Sequence, residues 1–330
     1  MSLPVPSAAR RASLHRTSLL PASLRMTART LAALATFTLV ACGDGSTEPA
    51  APALFETVVV FGASLDDTGN ACNAAPTSCP PFPYANARFS NGPLWIEQMA
   101  ERLNARVAPA LGGGTNYAFA GARTGPINGV NQSIPNMVAQ VDQYIERGAK
   151  NYRDVTLFVV NAATVGNDIN DALTLSRTNP TAAAAVLPGA VTNITGIITK
   201  LYAAGARHVL LLNSTDIGRT PLVSAQGAVV SATATQFSAQ FNTALAAALP
   251  ALRSASPGLT IYVTDLGALT AQVMANPSSF GFTNVAAACV VTSPPSLCST
   301  PASFFYWDGF HPTQATGKIV AERALAALGR

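Results

Sequence analysis

Four short runs rich in β-branched residues alternate along the chain with stretches that carry the apolar period of helices. The strand-like runs are residues 57–61, 156–160, 208–212 and 260–263. The helix-like stretches lie around residues 94–103, 138–145, 182–204, 231–249 and 313–328. This alternation predicts an α/β fold with a parallel sheet and helices on both faces. With 49% apolar residues the chain can bury one large core, and without an internal repeat one domain is expected.

A serine follows the first strand-like run. The run breaks at Gly62, and Ser64 comes two residues later. A buried parallel strand that ends in this way presents the next side chains at the carboxyl edge of the sheet, where α/β proteins bind their ligands. Ser64 is therefore the candidate nucleophile.

The chain has three histidines that could act as the base. His15 lies in a segment that we interpret below as a leader, and His208 opens a strand-like run, where a structural role is expected. His311 follows Asp308 by three residues, so one loop can supply both the base and the acid that orients it. His311 is the favoured base and His208 the alternative.

Four segments carry a family resemblance. They are Phe-Gly-Ala-Ser-Leu-Asp-Asp-Thr-Gly-Asn at 61–70, Asn-Tyr-Ala-Phe-Ala-Gly-Ala at 116–122, Val-Gly-Asn-Asp at 165–168 and Asp-Gly-Phe-His-Pro at 308–312. In order and spacing they resemble the blocks of the GDSL lipases, or SGNH hydrolases, over about residues 55–328. Segments 88–95 and 276–284 are similar to secreted bacterial lipases and lecithinases of that family. The resemblance implies a single-domain, flavodoxin-like three-layer α/β/α sandwich with a parallel sheet.

The resemblance also implies a role for each site residue. Ser64 would be the nucleophile, His311 the general base and then acid, and Asp308 its partner. The oxyanion would be held by the backbone N–H groups of Ser64 and Gly121 and by the side-chain amide of Asn167. Such preorganised donors favour the charged tetrahedral state over the ground state.

Two positions depart from the family pattern. Ala63 replaces an aspartate before the nucleophile, which removes a hydrogen-bonding side chain there. Val165 replaces a glycine, which is expected to stiffen the loop that positions Asn167. Asp168 is expected to support that loop, and Asp265, a possible competitor for the acid, is expected to be an ordinary loop residue.

These features predict a serine-dependent carboxylic ester hydrolase that works through an acyl-enzyme on Ser64. The substrate class implied by the resemblance is a lipid-like or short-chain acyl ester. The alternatives are an acyltransferase and a polysaccharide-deacetylating esterase, since the same acyl-enzyme serves all three. A surface lipoprotein that only binds lipid or glycan is a further alternative, because a fold does not fix a function.

The first part of the chain predicts export. Residues 1–41 contain five arginines and no acid, and the apolar stretch at 31–40 is too short to span a bilayer but suits a signal peptide. Leu-Val-Ala-Cys at 39–42 resembles a bacterial lipobox, so Cys42 is expected to be lipidated; an ordinary secretory signal is the alternative. A glycine directly after that cysteine, as Gly43 is here, resembles the sequence of outer-membrane lipoproteins of Gram-negative-type bacteria. The alternatives are a periplasmic or a secreted protein. Met26 is an alternative start.

The expected organisation is a signal peptide at residues 1–41, a flexible tether at 42–53 and a catalytic domain at 54–330. The tether is rich in Gly, Ser, Thr, Pro and Ala, a composition typical of flexible linkers. Membrane contact is expected only through the lipid anchor. Residues 71–83, 125–135 and 285–301 are predicted to be longer surface loops around the substrate mouth.

Four cysteines remain after Cys42, an even number that favours disulfides in an exported protein. Three pairings are possible. Pairing Cys72 with Cys79 and Cys289 with Cys298 is favoured, because each bond then closes a short loop near the site. A zinc site is disfavoured because no histidine lies near either pair.

The basic charge of the chain comes from its first segment. The chain has 20 Lys and Arg against 16 acids, and five of the basic residues precede Cys42. The remainder is close to neutral and has no basic cluster, so nucleic-acid binding is not expected. No nucleotide-binding motif is present, and no cofactor is expected.

Overall fold

The computed structural model describes residues 55–130, 132–148, 155–292 and 295–330. The predicted signal peptide (1–41), the tether (42–53) with its Cys42, and residue 54 lie outside the described residues, so those assignments stay predictions.

The described chain alternates strands with helices. The strands are β1 (Thr57–Phe61), β2 (Thr156–Asn161), β3 (His208–Leu212), β4 (Thr260–Thr264), β5 (Asn284–Ala288), β6 (Val290–Thr292), β7 (Pro295–Leu297) and β8 (Phe304–Tyr306). The helices are α1 (Asn70–Ala74), α2 (Trp95–Arg102), α3 (Met137–Glu146), α4 (Val165–Leu175), α5 (Pro180–Ala203), α6 (Pro221–Ser224), α7 (Ala228–Ala255), α8 (Leu266–Ala275) and α9 (Gln314–Ala327). The four strand-like runs of the sequence correspond to β1 to β4, and the five helix-like stretches correspond to α2, α3, α5, α7 and α9.

Strands β1 to β4 form a parallel sheet in the order β1-β2-β3-β4. A further extended segment lies outside β1: Val60 N donates to Thr115 O at 3.1 Å, and Tyr117 N donates to Val60 O at 2.8 Å. Since this segment is also parallel to β1, the residues that follow it reach the same edge of the sheet as Ser64.

The side chains of β1 alternate between two cores because successive residues of a strand point to opposite faces. Val59 and Phe61 pack with buried residues of α3, α4, α5 and α7. Val58 and Val60 pack with buried residues of α2, α8 and α9. The molecule is therefore a three-layer α/β/α sandwich, which confirms the predicted fold class.

Helix α5 is long and apolar enough to cross a membrane by length and composition alone. One face of it, with Ile194, Ile197 and Ile198, is nevertheless buried in the core beside the sheet. This face is what a crossover helix of an α/β protein needs, and α5 connects α4 to β3 in that position.

Two predicted loops have regular structure. Asn167 was expected in a loop but lies in the first turn of α4, where Val165, Ile169 and Ala172 form one buried face. Packing of that face outweighs the poor helix propensity of the glycine and asparagines in the segment. The predicted loop at 285–301 contains most of β5, which pairs with β8, and the β6–β7 hairpin.

Candidate active site

Ser64 lies in a tight turn at the carboxyl end of β1, and its side chain is almost buried. The turn is closed by the N–H groups of Asp66 and Asp67, which both donate to Ala63 O at 3.0 Å. The Asp67 carboxylate accepts the N–H groups of Gly69 and Ala120, each at 2.8 Å. Asp67 therefore fixes the serine turn to the segment that carries Gly121.

His311 and Asp308 complete a chain of hydrogen bonds that starts at Ser64. His311 Nε2 lies 2.8 Å from Ser64 Oγ, and His311 Nδ1 lies 2.7 Å from Asp308 Oδ2. The structure thus brings together the three residues that were expected to act as nucleophile, base and acid, from opposite ends of the chain. Both the histidine and the aspartate side chains are 15% exposed, so they are shielded but reachable.

The loop from Asp308 to His311 is held by the carboxylate that it carries. Asp308 Oδ1 accepts the N–H groups of Phe310 and His311, both at 2.7 Å. Burial raises the pKa of Asp308, but the charge of His311 and the hydrogen bonds to the carboxylate outweigh it and lower the pKa to about 2. Asp308 is therefore ionised at neutral pH, as the orienting acid of a triad must be.

Tyr84 also contacts this carboxylate, a contact that the sequence did not predict. Its hydroxyl donates to Asp308 Oδ2 at 2.7 Å, the same oxygen that faces His311. Its ring packs edge-on against Trp307 with centroids 6.1 Å apart. Burial and Asp308 raise the pKa of Tyr84, so it stays a donor. A lone tyrosine in a Pro-rich segment gives no sequence signal of this role.

Replacing Tyr84 with Phe is expected to lower kcat about tenfold with little change in KM, because a hydrogen bond to a charged group contributes about 1.5 kcal/mol or more. The variant keeps the ring and loses only the donor that orients Asp308. The ¹H NMR resonance of the His311 Nδ1 proton should also shift. Tyr202→Phe is the matched control, since it removes a hydroxyl that donates to Pro257 O at 3.1 Å. Equal kcat in both variants, with an unmoved resonance, would contradict the role.

The expected oxyanion donors lie on two segments beside the serine turn. Gly121 has a left-handed backbone with φ of +81°, which favours glycine, and a Cβ there would lie 2.8 Å from Ile134 Cδ1. Asn167 Nδ2 donates to Ala122 O at 2.7 Å, which fixes the amide. The amide has a second N–H, which remains for a substrate oxygen. The three predicted donors are thus carried by neighbouring, mutually bonded segments.

Asn167→Ala is expected to lower kcat on the order of 10²-fold, because it removes one donor to the charged oxygen of the tetrahedral state. KM and thermal stability should change little, since the side chain is only half-buried and its hydrogen bond is to a single carbonyl, that of Ala122. Steady-state kinetics of the variant beside the parent checks this. An unchanged kcat would remove Asn167 from the site.

A buried carboxylate lies under the serine turn, three residues after Ala63. Asp66 is fully buried and accepts Trp95 Nε1 at 2.8 Å and Asn161 Nδ2 at 2.9 and 3.0 Å. It occupies the space that a Cβ on Gly62 would need. Burial raises its pKa to about 7, although the hydrogen bonds from Asn161 and Trp95 oppose the shift. A hydrogen-bonded acid is therefore present beside the turn even though position 63 has none.

The alternative acids and base have structural contacts. Asp168 is buried and accepts Thr124 N at 3.1 Å and Thr124 Oγ1 at 2.6 Å. Asp265 was expected in a loop but is the N-cap of α8, where it accepts Ala268 N at 2.9 Å. His208 begins β3 and so lies at the amino ends of the strands, whereas Ser64 lies at their carboxyl ends. Its ring stacks on Tyr262.

The two disulfides Cys72–Cys79 and Cys289–Cys298 are present, with the favoured pairing. Cys289 packs with Trp307, next to Asp308, and Tyr84 packs against the same cluster. Within the described ranges no three His, Cys, Asp or Glu side chains lie close enough to hold a metal ion.

Comparison with known proteins identifies relatives over most of the chain. The model of the family described as GDSL-like Lipase/Acylhydrolase matches residues 58–324. A GDSL esterase/lipase of Arabidopsis thaliana is 28% identical over 308 residues, which cover 81% of this chain and 88% of the relative. A phosphatidylcholine-sterol acyltransferase of Aeromonas hydrophila is 28% identical, over 71% of this chain and 65% of the relative. A thermolabile hemolysin of Vibrio parahaemolyticus is 28% identical, over 83% of this chain and 64% of the relative.

Proposed function

This chain belongs to the GDSL-like lipase/acylhydrolase family, and from that premise we propose that Ser64, His311 and Asp308 carry its ester hydrolysis. The protein is a serine hydrolase of carboxylic esters, as its family and its GDSL esterase/lipase relatives establish. The single observation that carries the residue assignment is the unbroken hydrogen-bond chain from Ser64 Oγ through His311 to Asp308.

The reaction proceeds in two halves. His311 Nε2 takes the proton of Ser64 as its oxygen attacks the ester carbonyl, and the Ser64, Gly121 and Asn167 donors hold the oxygen that gains charge. His311 then gives the proton to the leaving alcohol, which leaves an acyl group on Ser64. A water activated by His311 releases the acid and restores the enzyme. Asp308 stays ionised throughout and stabilises the imidazolium.

Acyl esters of lipid-like or short-chain type are the proposed substrates. An apolar pocket lies beside the site and is lined by Leu65, which follows the nucleophile, and by Phe89 and Phe310. The rings of both phenylalanines contact the His311 ring, with centroids 5.2 and 5.9 Å away. An acyl chain on Ser64 would therefore find apolar surface next to the base. Acyl transfer to an alcohol is the second candidate, favoured by the similarity to an acyltransferase.

The protein is proposed to act after export. Two disulfides in the described domain are typical of exported proteins, and a hemolysin is among the relatives. Residues 1–41 would direct export, and lipidation of Cys42 with the tether at 42–53 would hold the domain at a bacterial outer membrane.

Hydrolysis of a chain-length series of p-nitrophenyl esters, by the parent and by Ser64→Ala, tests the proposal. Turnover is expected from the parent alone, and the rates rank its acyl preference. An added alcohol separates the two candidates, because a transferase forms a new ester where a hydrolase forms free acid. Equal rates from parent and variant would refute Ser64 as the nucleophile.

A further inference from the structure

Four exposed apolar side chains lie on segments that are hydrogen-bonded to the segment that carries Asp308. Phe82 is 91% exposed, Leu222 52%, Leu297 50% and Val291 39%. We call these four residues the apolar rim. Exposed apolar side chains gathered near one site, instead of scattered singly, mark a surface that contacts another apolar phase or molecule.

Phe82 and Leu222 reach the Asp308 segment by different routes. Phe82 lies at the tip of a turn closed by Tyr84 N, which donates to Pro81 O at 3.0 Å, and the Tyr84 hydroxyl bonds to Asp308. Leu222 N donates to Gly309 O at 2.8 Å. Phe82 therefore lies two residues from a side chain that is bonded to Asp308, and Leu222 is itself bonded to Gly309.

Val291 and Leu297 lie on the β6–β7 hairpin, which is bonded to the same segment. Val290 N donates to Trp307 O at 2.7 Å, and Val290 pairs with Leu297 across the hairpin. The Cys289–Cys298 disulfide closes the base of the hairpin. Three separate parts of the chain thus present apolar side chains next to the triad acid.

The same three parts of the chain carry no charge. Residues 68–87, 220–252 and 266–307 contain no Asp, Glu, Lys or Arg. The charged residues that border two of these segments, Arg88 and Arg219, form ion pairs with Glu97 and Asp216. The segments that carry the apolar rim are therefore uncharged, and the two bordering arginines are paired with carboxylates, so these segments supply no cluster of Lys and Arg of the kind that recognises anionic lipid headgroups.

We propose that the apolar rim docks the enzyme on the surface of aggregated zwitterionic or uncharged ester lipid. The proposal rests on the proposed function, since it places the mouth of that site against its substrate. A lipid surface at the rim brings the ester next to the Asp308 segment through the same contact, which a protein partner would not do. Absence of charge in the rim segments matches a surface without net charge, and insertion of the apolar side chains stabilises the contact.

The test compares the parent with Phe82→Asp and Leu297→Asp, and with Ala203→Asp as a matched control. Ala203 is exposed at the end of α5, shortly before β3 begins. It therefore lies near the amino ends of the strands, whereas Ser64 lies at their carboxyl ends. Binding is measured by flotation with vesicles of ether-linked phosphatidylcholine, which esterases do not cleave. All four proteins have the same residues 1–53, so a difference in binding between them reports the substituted position alone.

Each rim variant is expected to bind the vesicles about tenfold more weakly than the parent, the effect of losing one buried apolar side chain. Ala203→Asp should bind like the parent, and 0.5 M NaCl or added anionic lipid should change little, by about twofold at most. Hydrolysis of a soluble p-nitrophenyl ester should stay within about twofold in all variants, while hydrolysis of ester phosphatidylcholine vesicles falls with binding.

Parent-like vesicle binding by both rim variants would overturn the proposal, as would binding that requires anionic lipid and is lost in salt. If the parent is a dimer and the rim variants are monomers that still bind vesicles like the parent, the rim is a self-association surface instead. A parent that binds vesicles through the rim but cleaves no ester would support the docking surface and refute the hydrolytic function, so the two failures are distinguishable.

Discussion

His311→Gln is expected to lower kcat for p-nitrophenyl ester hydrolysis by about 10⁵-fold or more, because the base and the nucleophile act as one unit. Glutamine can hydrogen-bond to Ser64 but cannot take its proton at neutral pH. The hydrogen bond of 2.8 Å from Ser64 Oγ to His311 Nε2 is the direct motivation. Steady-state kinetics over a saturating range of substrate measures the loss, and thermal unfolding shows whether the variant is folded.

His208→Gln is the matched control. His208 lies at the start of β3, where its ring contacts Phe55 and Tyr262, so its loss should lower stability modestly and leave kcat within about twofold. Retention of activity in His311→Gln together with its loss in His208→Gln would reverse the choice of base.

The fold was predictable because its sheet has a simple sequence pattern. β1 to β4 are short apolar runs separated by long amphipathic stretches, and a parallel sheet buried on both faces requires both features. The neighbouring positions of Ser64 and His311 follow from the same topology, since catalytic side chains gather at the carboxyl edge of the strands. The resemblance to a family then supplied the residues, such as Gly121 and Asn167, that no pattern alone would select.

Other features depend on packing between distant residues, which no local pattern reports. Helix α4 has two Asp, two Asn and a glycine in its sequence, and it forms because Val165 and Ile169 fill the core beside the sheet. The Tyr84 hydroxyl reaches Asp308 across 224 positions of sequence. Asp66 follows Ser64 by two residues, and nothing in the local sequence shows that the indole of Trp95 and the amide of Asn161 donate to its buried carboxylate.

The β6–β7 hairpin and its Cys289–Cys298 disulfide pack against the residue that precedes Asp308. Trp307 precedes Asp308 in the chain, and its ring belongs to the same cluster as Cys289 and packs edge-on against Tyr84. A displacement of the β6–β7 hairpin would therefore shift Trp307 and, with it, the Asp308 carboxylate.

Asp308→Asn is expected to lower kcat about 10⁴-fold while KM and the thermal midpoint change little. Both carboxylate oxygens are occupied: Oδ1 accepts two backbone N–H groups, and Oδ2 accepts Tyr84 and faces His311 Nδ1. An asparagine that keeps its oxygen toward the backbone turns an N–H toward His311. The imidazole then carries its proton on Nε2, where it can no longer accept the proton of Ser64.

Asp168→Asn separates this effect from the loss of any buried acid near the site. Asp168 is buried beside Thr124, and burial raises its pKa to about 6 despite the hydrogen bonds from Thr124. Its replacement should lower the free energy of unfolding by about 1–3 kcal/mol and kcat by less than tenfold, since it supports α4 without contacting the triad. Kinetics and urea unfolding of both variants decide the assignment: a 10⁴-fold kcat loss in Asp168→Asn with a near-normal Asp308→Asn would transfer the role of the acid to Asp168.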